Sequence, residues 1–374
     1  MSDLDGILVV ALEQAVAAPY ASSLLAEAGA RVIKIEREEG DFARNYDHVV
    51  HGESAYFVWL NRGKQSVCLD VKDSADRKLL FSMLRRADVF IQNLRFGAVD
   101  SLGFDYASLQ AINPRLIMCS ISGYGESGPY ADMKAYDLLV QAESGLSSIT
   151  GTAEGLTRVG ISVCDISTGM SAYAAILRAL IRRSSTNAGS HITLSLFDVI
   201  TDWMNVPLLH KAYGGKQPPV VGLNHPSIAP YGMYPTGDGK GVVISIQNER
   251  EWKEFCQAVL KDKSIATDPC FETNIKRVQN RVALDERIIA IFAKYKLTDL
   301  ITLLGEHQIA YGRVNLLEDV LSHPQRRVVT VETPTGPVSL TAGGVLFDDE
   351  SPASLPVPAL GEHTDQVRAE FGKG

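Results

Sequence analysis

Residues 157–198, TRVGISVCDISTGMSAYAAILRALIRRSSTNAGSHITLSLFD, set one carboxylate, Asp165, between two contrasting kinds of local sequence. Upstream, 159–164 is short and β-prone. Downstream, Met170, Tyr173, Ala174, Ile176, Leu177, Leu180 and Ile181 recur at helical spacing, the pattern of one long half-buried helix. Ser167 and Thr168 are favourable N-caps for it. Asp165 then stands just ahead of a helix N-terminus, where partial positive charge and free N–H groups stabilise an anion by roughly 0.3–1 kcal/mol. A basic, turn-rich break at 182–190 follows, and then a second strand at 191–196. A lone Asp before a helix is ordinarily a cap. The rest of the chain decides whether this one is more.

Towards the N-terminus, 6–12 reads as a strand, 20–28 as a helix closed by Gly29, and 32–36 as a second strand. Strand–helix–strand with Gly at the helix end predicts a right-handed parallel unit. The turn after the first strand, EQAVAAP, has no GxGxxG, so a nicotinamide dinucleotide is excluded there although Glu36 sits where a ribose-binding acid would. A formal GxGxxG does occur at Gly123, Gly125 and Gly128, but Pro129 follows and no long periodic helix begins, so it reads as a glycine-rich turn. Between these lie strands at 65–71, 89–93 and 116–120 and a helix at 74–86. The alternation predicts an α/β fold, a large Rossmann-like domain with a parallel sheet, whose ligands gather at the carboxyl ends of strands. Arg37, Lys72 and Asn93 fall at three such ends and line one crevice suited to an anionic, phosphate-bearing ligand.

Beyond 213 the chain becomes dense in Gly and Pro, as a linker or active-site loop would be. A smaller α/β unit follows, with a strand at 241–247 and helices near 250–260, 280–294 and 298–306. The expected organisation is a large domain at 1–200 completed by 326–374, a linker at 201–224 and a small domain at 225–325. Strands at 328–333 and 336–340 and a short terminal helix close the chain.

Composition narrows the function. Over 374 residues the net charge is −8 and no basic stripe occurs, which excludes nucleic acid as the partner. Five scattered cysteines without a CxxC pair argue for a reducing compartment and against a disulfide framework or zinc site. No apolar run reaches the ~18 residues of a membrane span and the acidic start lacks a signal peptide's basic region, so a cytoplasmic location is expected. There is no GxSxG, HExxH or P-loop, and the histidines make no spaced metal pair.

Several ordered segments carry a resemblance: AAPYASSLLAEAGARVIKIER at 17–37, LNRGKQSVCLDVK at 60–72, ADVFIQNLRFGAVDSLGFDY at 87–106, NPRLIMCSISGYGESGPYADMKAYDLLVQAESGL at 113–146, VCDISTGMSAYAAILRAL at 163–180 and PALGEHT at 358–364. Together they resemble the class III CoA-transferases, the family of carnitine and formyl-CoA transferases and of α-methylacyl-CoA racemase. The resemblance implies that Asp165 attacks an acyl-CoA thioester to give a mixed anhydride, then an aspartyl-CoA thioester from which an acceptor acid collects CoA. It implies CoA contacts at Val16, Ala17, Arg37, Leu69, Lys72, Asn93, Leu94 and Lys134, and an interlocked homodimer. Acyl-CoA is then a substrate, and no metal, nicotinamide or flavin takes part.

Three departures refine this. Some relatives carry an Arg where Ser101 stands, so one phosphate contact is lost or supplied elsewhere. Formyl-CoA enzymes have a four-glycine lid where this chain has 225–229, HPSIA, which argues against formyl-CoA or oxalate chemistry. Racemases place a His where Tyr136 stands, and a phenol with pKa near 10 is a poor partner for α-proton exchange. The resemblance therefore favours transfer to a small dicarboxylate of the succinate, itaconate or mesaconate kind. Tyr136 and His225 are the substrate-side candidates, and a racemase using Asp165 as base is the rival.

Overall fold

The structure is a computed structural model and describes residues 2–95, 97–152, 154–347 and 353–372. The chain divides into two compact units, Met1–Leu146 with Arg158–Val206 and Arg327–Gly374 forming one, and Ser147–Thr157 with Pro207–Arg326 forming the other. The stretch read as a linker, 201–224, is shared between them at 206/207.

In the first unit the chain runs β1 (Leu8–Leu12), α1 (Ala17–Glu27), β2 (Arg31–Glu36), α2 (Ala55–Leu60), β3 (Lys64–Cys68), α3 (Ser74–Leu84), β4 (Val89–Gln92), α4 (Ala98–Ser101), α5 (Tyr106–Ile112), β5 (Ile117–Ser122) and α6 (Asp137–Glu143). A two-residue ribbon of the second unit intervenes, β6 (Gly151–Thr152) with β7 (Gly155–Leu156), before α7 (Val163–Thr186), β8 (Ser190–Ser195) and α8 (Leu196–Trp203). Six strands pair in the order β3-β2-β1-β4-β5-β8, and every pair is parallel. Successive strand residues point to opposite faces, and here both sets are apolar. Val9, Ala11, Val32, Ile91 and Ile117 face one core with α1 and α7, while Val10, Leu12, Ile33, Phe90 and Met118 face another with α3. A sheet buried on both sides is what continuous runs such as VVAL and RVIKIE require. The order reverses between β1 and β4, so their carboxyl ends open the crevice where such sheets bind ligands.

The carboxyl-terminal chain completes this unit at the β3 edge. The Gly361 and His363 amides bond Ser66, the Cys68 amide bonds Thr364 Oγ1, and Val367 and Phe371 enter the core beside α3. Strands 328–333 and 336–341 form their own antiparallel ribbon. The second unit holds a three-stranded antiparallel sheet made of Tyr231–Pro235, Gly241–Ser245 and Ala310–Arg313. Its core gathers around Trp252, Phe255, Leu284, Ile288, Phe292 and Leu300.

Candidate active site

The segment 159–164 is not a strand. Helix α7 begins at Val163, so Asp165 lies in its first turn rather than ahead of it, and the helix continues through the basic stretch to Thr186. Ser167 and Thr168 are not caps; they sit inside α7, and their hydroxyls donate to the Cys164 carbonyl. The physical reason is the cap actually used. The residue preceding α7, Ser162, makes no side-chain cap bond. The buried carboxylate of Asp137, first residue of α6, accepts instead from the amides of Cys164 (2.8 Å) and Asp165 (3.3 Å). Its other oxygen accepts from Gln141 Nε2 at 2.7 Å, and buried Gln141 also bonds the backbone of Val159 and Ile161. A cap supplied from 28 positions upstream overrides the local preference of 159–164 for strand.

Asp165 heads the inward stripe of α7, followed at helical spacing by Thr168, Gly169, Ala172 and Ile176, all buried. At Gly169 a Cβ would stand 2.6 Å from the Ala17 carbonyl oxygen, so α1 crosses α7 one turn below Asp165. Val16 and Ala17, at the start of α1, are buried beside that crossing. The loop entering α1 turns through Ala15 at φ 63°. It is pinned to the neighbouring strand end by Asn93, whose amide accepts from the Gln14 N–H (2.9 Å) and donates to its carbonyl (2.8 Å). Asn93 thus holds the crevice at the β1/β4 reversal.

The Asp165 carboxylate accepts no hydrogen bond and pairs with no cation among the described residues. Burial, and then the Asp137 charge, push its pKa up to about 7. A fully ionised carboxylate at neutral pH is therefore not what the structure holds: desolvation and a like charge outweigh the helix N-terminus. The neighbouring Cys164 is buried and pushed up to about 12 by burial and by Asp137 and Asp165, which makes it inert as a nucleophile. The Tyr46 phenol is driven above its ordinary range by burial and by the charges of Asp41 and Asp165, with Tyr136 and Tyr56 adjacent. Tyr46 and Tyr56 meet edge to face at 5.4 Å, and the Tyr56 hydroxyl lies 3.5 Å from Ser162 Oγ. Tyr136 is exposed and immediately precedes α6.

Beneath these loops is a buried cluster of six charges. Lys34 Nζ pairs with Asp41 at 2.8 Å and approaches Glu13 at 3.5 Å; Lys64 Nζ meets Glu13 at 2.8 Å, the Pro19 carbonyl and Asn61. Arg44 forks onto both oxygens of Glu36 at 2.8 Å and lies over the Phe57 ring. Burial by itself would raise Glu36, but Arg44, Lys34 and Ser66 bring it down to about 2; burial draws Lys64 down to about 8 against the pull of Glu13. Asp41 also accepts from the Ala15 and Ala43 amides, so the cluster ties the 14–17 loop and the 42–45 turn to the sheet.

Arg37 directly follows β2, and Leu69 is buried beside the end of that strand, its amide bonded to the Glu36 carbonyl. Strand β3 ends at Cys68 rather than 71, which leaves Lys72 three residues beyond Leu69 and not at a strand end. Arg37, Lys72 and Lys134 are exposed, and their side chains make no hydrogen bond or ion pair among the described residues. Leu94 borders a cavity of about 160 Å³ off β4 and β5, where His191 stacks on Tyr106 and meets Ser120 Oγ at 3.1 Å. Ser101 is exposed, its hydroxyl donating to the Ala98 carbonyl. In the second unit, His225 stacks on Tyr231 at 5.2 Å and its Nδ1 accepts from the Ser227 amide.

Sequence reasoning missed Asp137, Gln141, Tyr46 and the buried cluster. Lys34 was a legible signal, because a Lys inside a strand buried on both faces demands a carboxylate partner. Asp137 and Gln141 stand one helical turn apart in YDLLVQAE, but nothing local says which helix they serve.

A parallel α/β unit with a bare carboxylate at the head of a helix and free cations near the strand ends has the makings of an acyl-CoA enzyme. Comparison makes that specific: residues 4–364 match the model of CoA-transferase family III, and the chain belongs to this family of CoA-transferases. It is 35% identical over 383 residues to a succinate–glutarate CoA-transferase of Agrobacterium fabrum, covering 98% of this chain and 95% of that one. It is also 35% identical over 372 residues to an acetyl-CoA:oxalate CoA-transferase of Acetobacter aceti, with coverage of 98% and 95%. The crystal structure of a CAIB/BAIF family protein from Brucella suis superposes with a TM-score of 0.85 at 34% identity, over 99% of both chains.

Proposed function

We propose that this CoA-transferase moves CoA from an acyl-CoA donor such as succinyl-CoA to a small dicarboxylate, with Asp165 as the covalent nucleophile. The observation that carries the reading is the Asp165 carboxylate itself, partly accessible and without hydrogen bond or counter-ion at a helix N-terminus. Attack of Asp165 Oδ on the thioester carbonyl forms a C–O bond while C–S breaks, and the electron pair departs on the CoA sulfur. The thiolate then attacks the aspartyl carbonyl, releasing the donor acid and leaving an aspartyl-CoA thioester. The acceptor acid reverses both steps. Each stage conserves an activated acyl group, which is the use of covalent catalysis.

Arg37, Lys72 and Lys134 supply cations for the CoA phosphates, and Val16, Ala17, Leu69 and Leu94 line its path, with Asn93 holding the loop between them. Tyr136 is the candidate of the first unit for contact with the acceptor, and His225 is a separate candidate carried by the second unit. Succinate, glutarate and oxalate in the relatives' names support a dicarboxylate. The oxalate relative returns oxalate to the acceptors worth testing alongside itaconate and mesaconate. The enzyme acts as a homodimer in this reading, consistent with exposed apolar side chains such as Leu138, Leu139 and Ile181.

Mixing enzyme with succinyl-CoA, trapping with hydroxylamine or borohydride and measuring peptide mass is expected to mark Asp165. Absence of that mark with CoA exchange intact would overturn the reading. A second reading, racemisation with Asp165 as base, draws on the raised pKa; it requires solvent deuterium to enter the α-carbon without any acceptor acid.

A further inference from the structure

We infer that Asp137 is a positioning residue for Asp165: it caps the helix that carries the nucleophile, and its charge opposes the very charge that acylation removes. The inference rests on the covalent role of Asp165 proposed above. One carboxylate oxygen of Asp137 receives the amides of both Cys164 and Asp165, so the backbone of the nucleophile hangs from it directly. The second oxygen is held by Gln141, which also clamps the chain entering α7 through Val159 and Ile161. Asp137 is 8% exposed and makes no ion pair among the described residues. Gln141 is fully buried, so the second oxygen of Asp137 is held by a partner that is itself closed to water.

Structural capping alone needs only a neutral oxygen: Ser, Thr and Asn cap helices as well as Asp does. A buried carboxylate within reach of a second carboxylate is a costly way to cap, because like charges in a poorly solvated place repel strongly. The cost has a use in this reaction. When Asp165 Oδ bonds to the acyl carbon and the thioester C–S bond breaks, the negative charge leaves Asp165 for the CoA thiolate and no proton moves. The acyl-enzyme then has one buried charge where the free enzyme has two, so repulsion is released in the forward direction and the nucleophile is more basic before attack.

Other groups face Asp165 without replacing this effect. The 42–45 turn leads to the Tyr46 phenol, with Asp41, Tyr56 and Tyr136 around it; α7 itself contributes the Cys164 thiol; and α1 brings Tyr20 against Gly169. After burial, Asp137 is the charge that raises the Asp165 pKa.

The test compares kcat against pH, from 5 to 9, for native enzyme, Asp137→Asn and Asp137→Ser, together with the fraction of enzyme trapped at Asp165 by borohydride and the melting temperature. Both variants keep a cap oxygen and remove the charge. The expected result is that the acid limb of kcat moves down by on the order of one pH unit, and that the trapped fraction at fixed acyl-CoA falls severalfold. A lowered melting temperature with an unmoved acid limb and native trapping would show a structural cap only and overturn the inference. Failure of the native enzyme to trap at Asp165 would instead remove the proposed function. Should Asp137→Asn not fold, Asp137→Ser, with its smaller side chain, carries the same comparison.

Discussion

Replacing Asp165 by Asn deletes the carboxylate that the site holds in its ionised form at a cost. The folded pKa is raised to about 7 from an ordinary 3.8. For an acid raised on folding, the native state binds more protons than the unfolded chain between those values, so stability falls as pH climbs through that window. At pH 8 both states are ionised and the full penalty is present. Three pKa units correspond to about 4 kcal/mol, and about half of that is a reasonable expectation for a side chain partly open to solvent. Near pH 4–5 the native Asp165 is already protonated and most of the penalty vanishes. Asp165→Asn is therefore expected to be inactive yet more stable than the native enzyme at pH 8 by about 2 kcal/mol, or about 4–8 °C in melting temperature for a unit of this size. The gain should shrink to a fraction of this at pH 4.5. Calorimetric or fluorescence melts at both pH values test it, with mass measurement to confirm that the amide has not hydrolysed. Equal melting temperatures at pH 8, or a gain that does not depend on pH, would refute the argument that burial and Asp137 strain this carboxylate.

Gly169→Ala would put a methyl 2.6 Å from the Ala17 carbonyl, a backbone atom that cannot swing aside; a loss of about 1–3 kcal/mol and a raised KM for acyl-CoA are expected from melts and steady-state kinetics. Lys64→Met leaves Glu13 buried beside Lys34 alone, at 3.5 Å, and should cost about 3–5 kcal/mol by denaturant unfolding. Arg37→Ala is expected to raise KM for acyl-CoA about tenfold, the equivalent of about 1.4 kcal/mol, with the acceptor KM unchanged and the defect fading at high salt. His225→Ala should raise KM for a dicarboxylate acceptor more than for a monocarboxylate; equal effects on both would remove it from the acceptor site.

The parallel sheet was legible because its signals are local. Short apolar runs, Gly29 after a helix and the β-α-β-α order each depend on a few neighbouring residues, and the structure has six parallel strands. The start of α7 was not legible. Residues 159–162 favour strand taken alone, and the choice is made by Asp137 and Gln141 from a helix far upstream. The same gap hid the state of Asp165: a helix N-terminus lowers a carboxylate pKa, and only tertiary burial next to Asp137 reverses the sign. Strand β3 was drawn too long because VCLDV continues the alternation past Cys68, whereas the chain turns at Asp70, whose carboxylate accepts from the Lys72 amide. Lys34 and Lys64 could have been read as requiring partners, but which of the 44 acidic residues answered them depended on the fold.

Glu13, Glu36 and Asp41 balance Lys34, Lys64 and Arg44 in a space closed to water except at the edge where Arg44 lies. Such an arrangement has an arithmetic of its own: any single exchange of sign or loss of charge leaves a remainder with nowhere to go. Variation at these six positions should therefore come as matched pairs across the chain or not at all. Grafting the 14–17 loop or the 42–45 turn onto another scaffold would require carrying all six together.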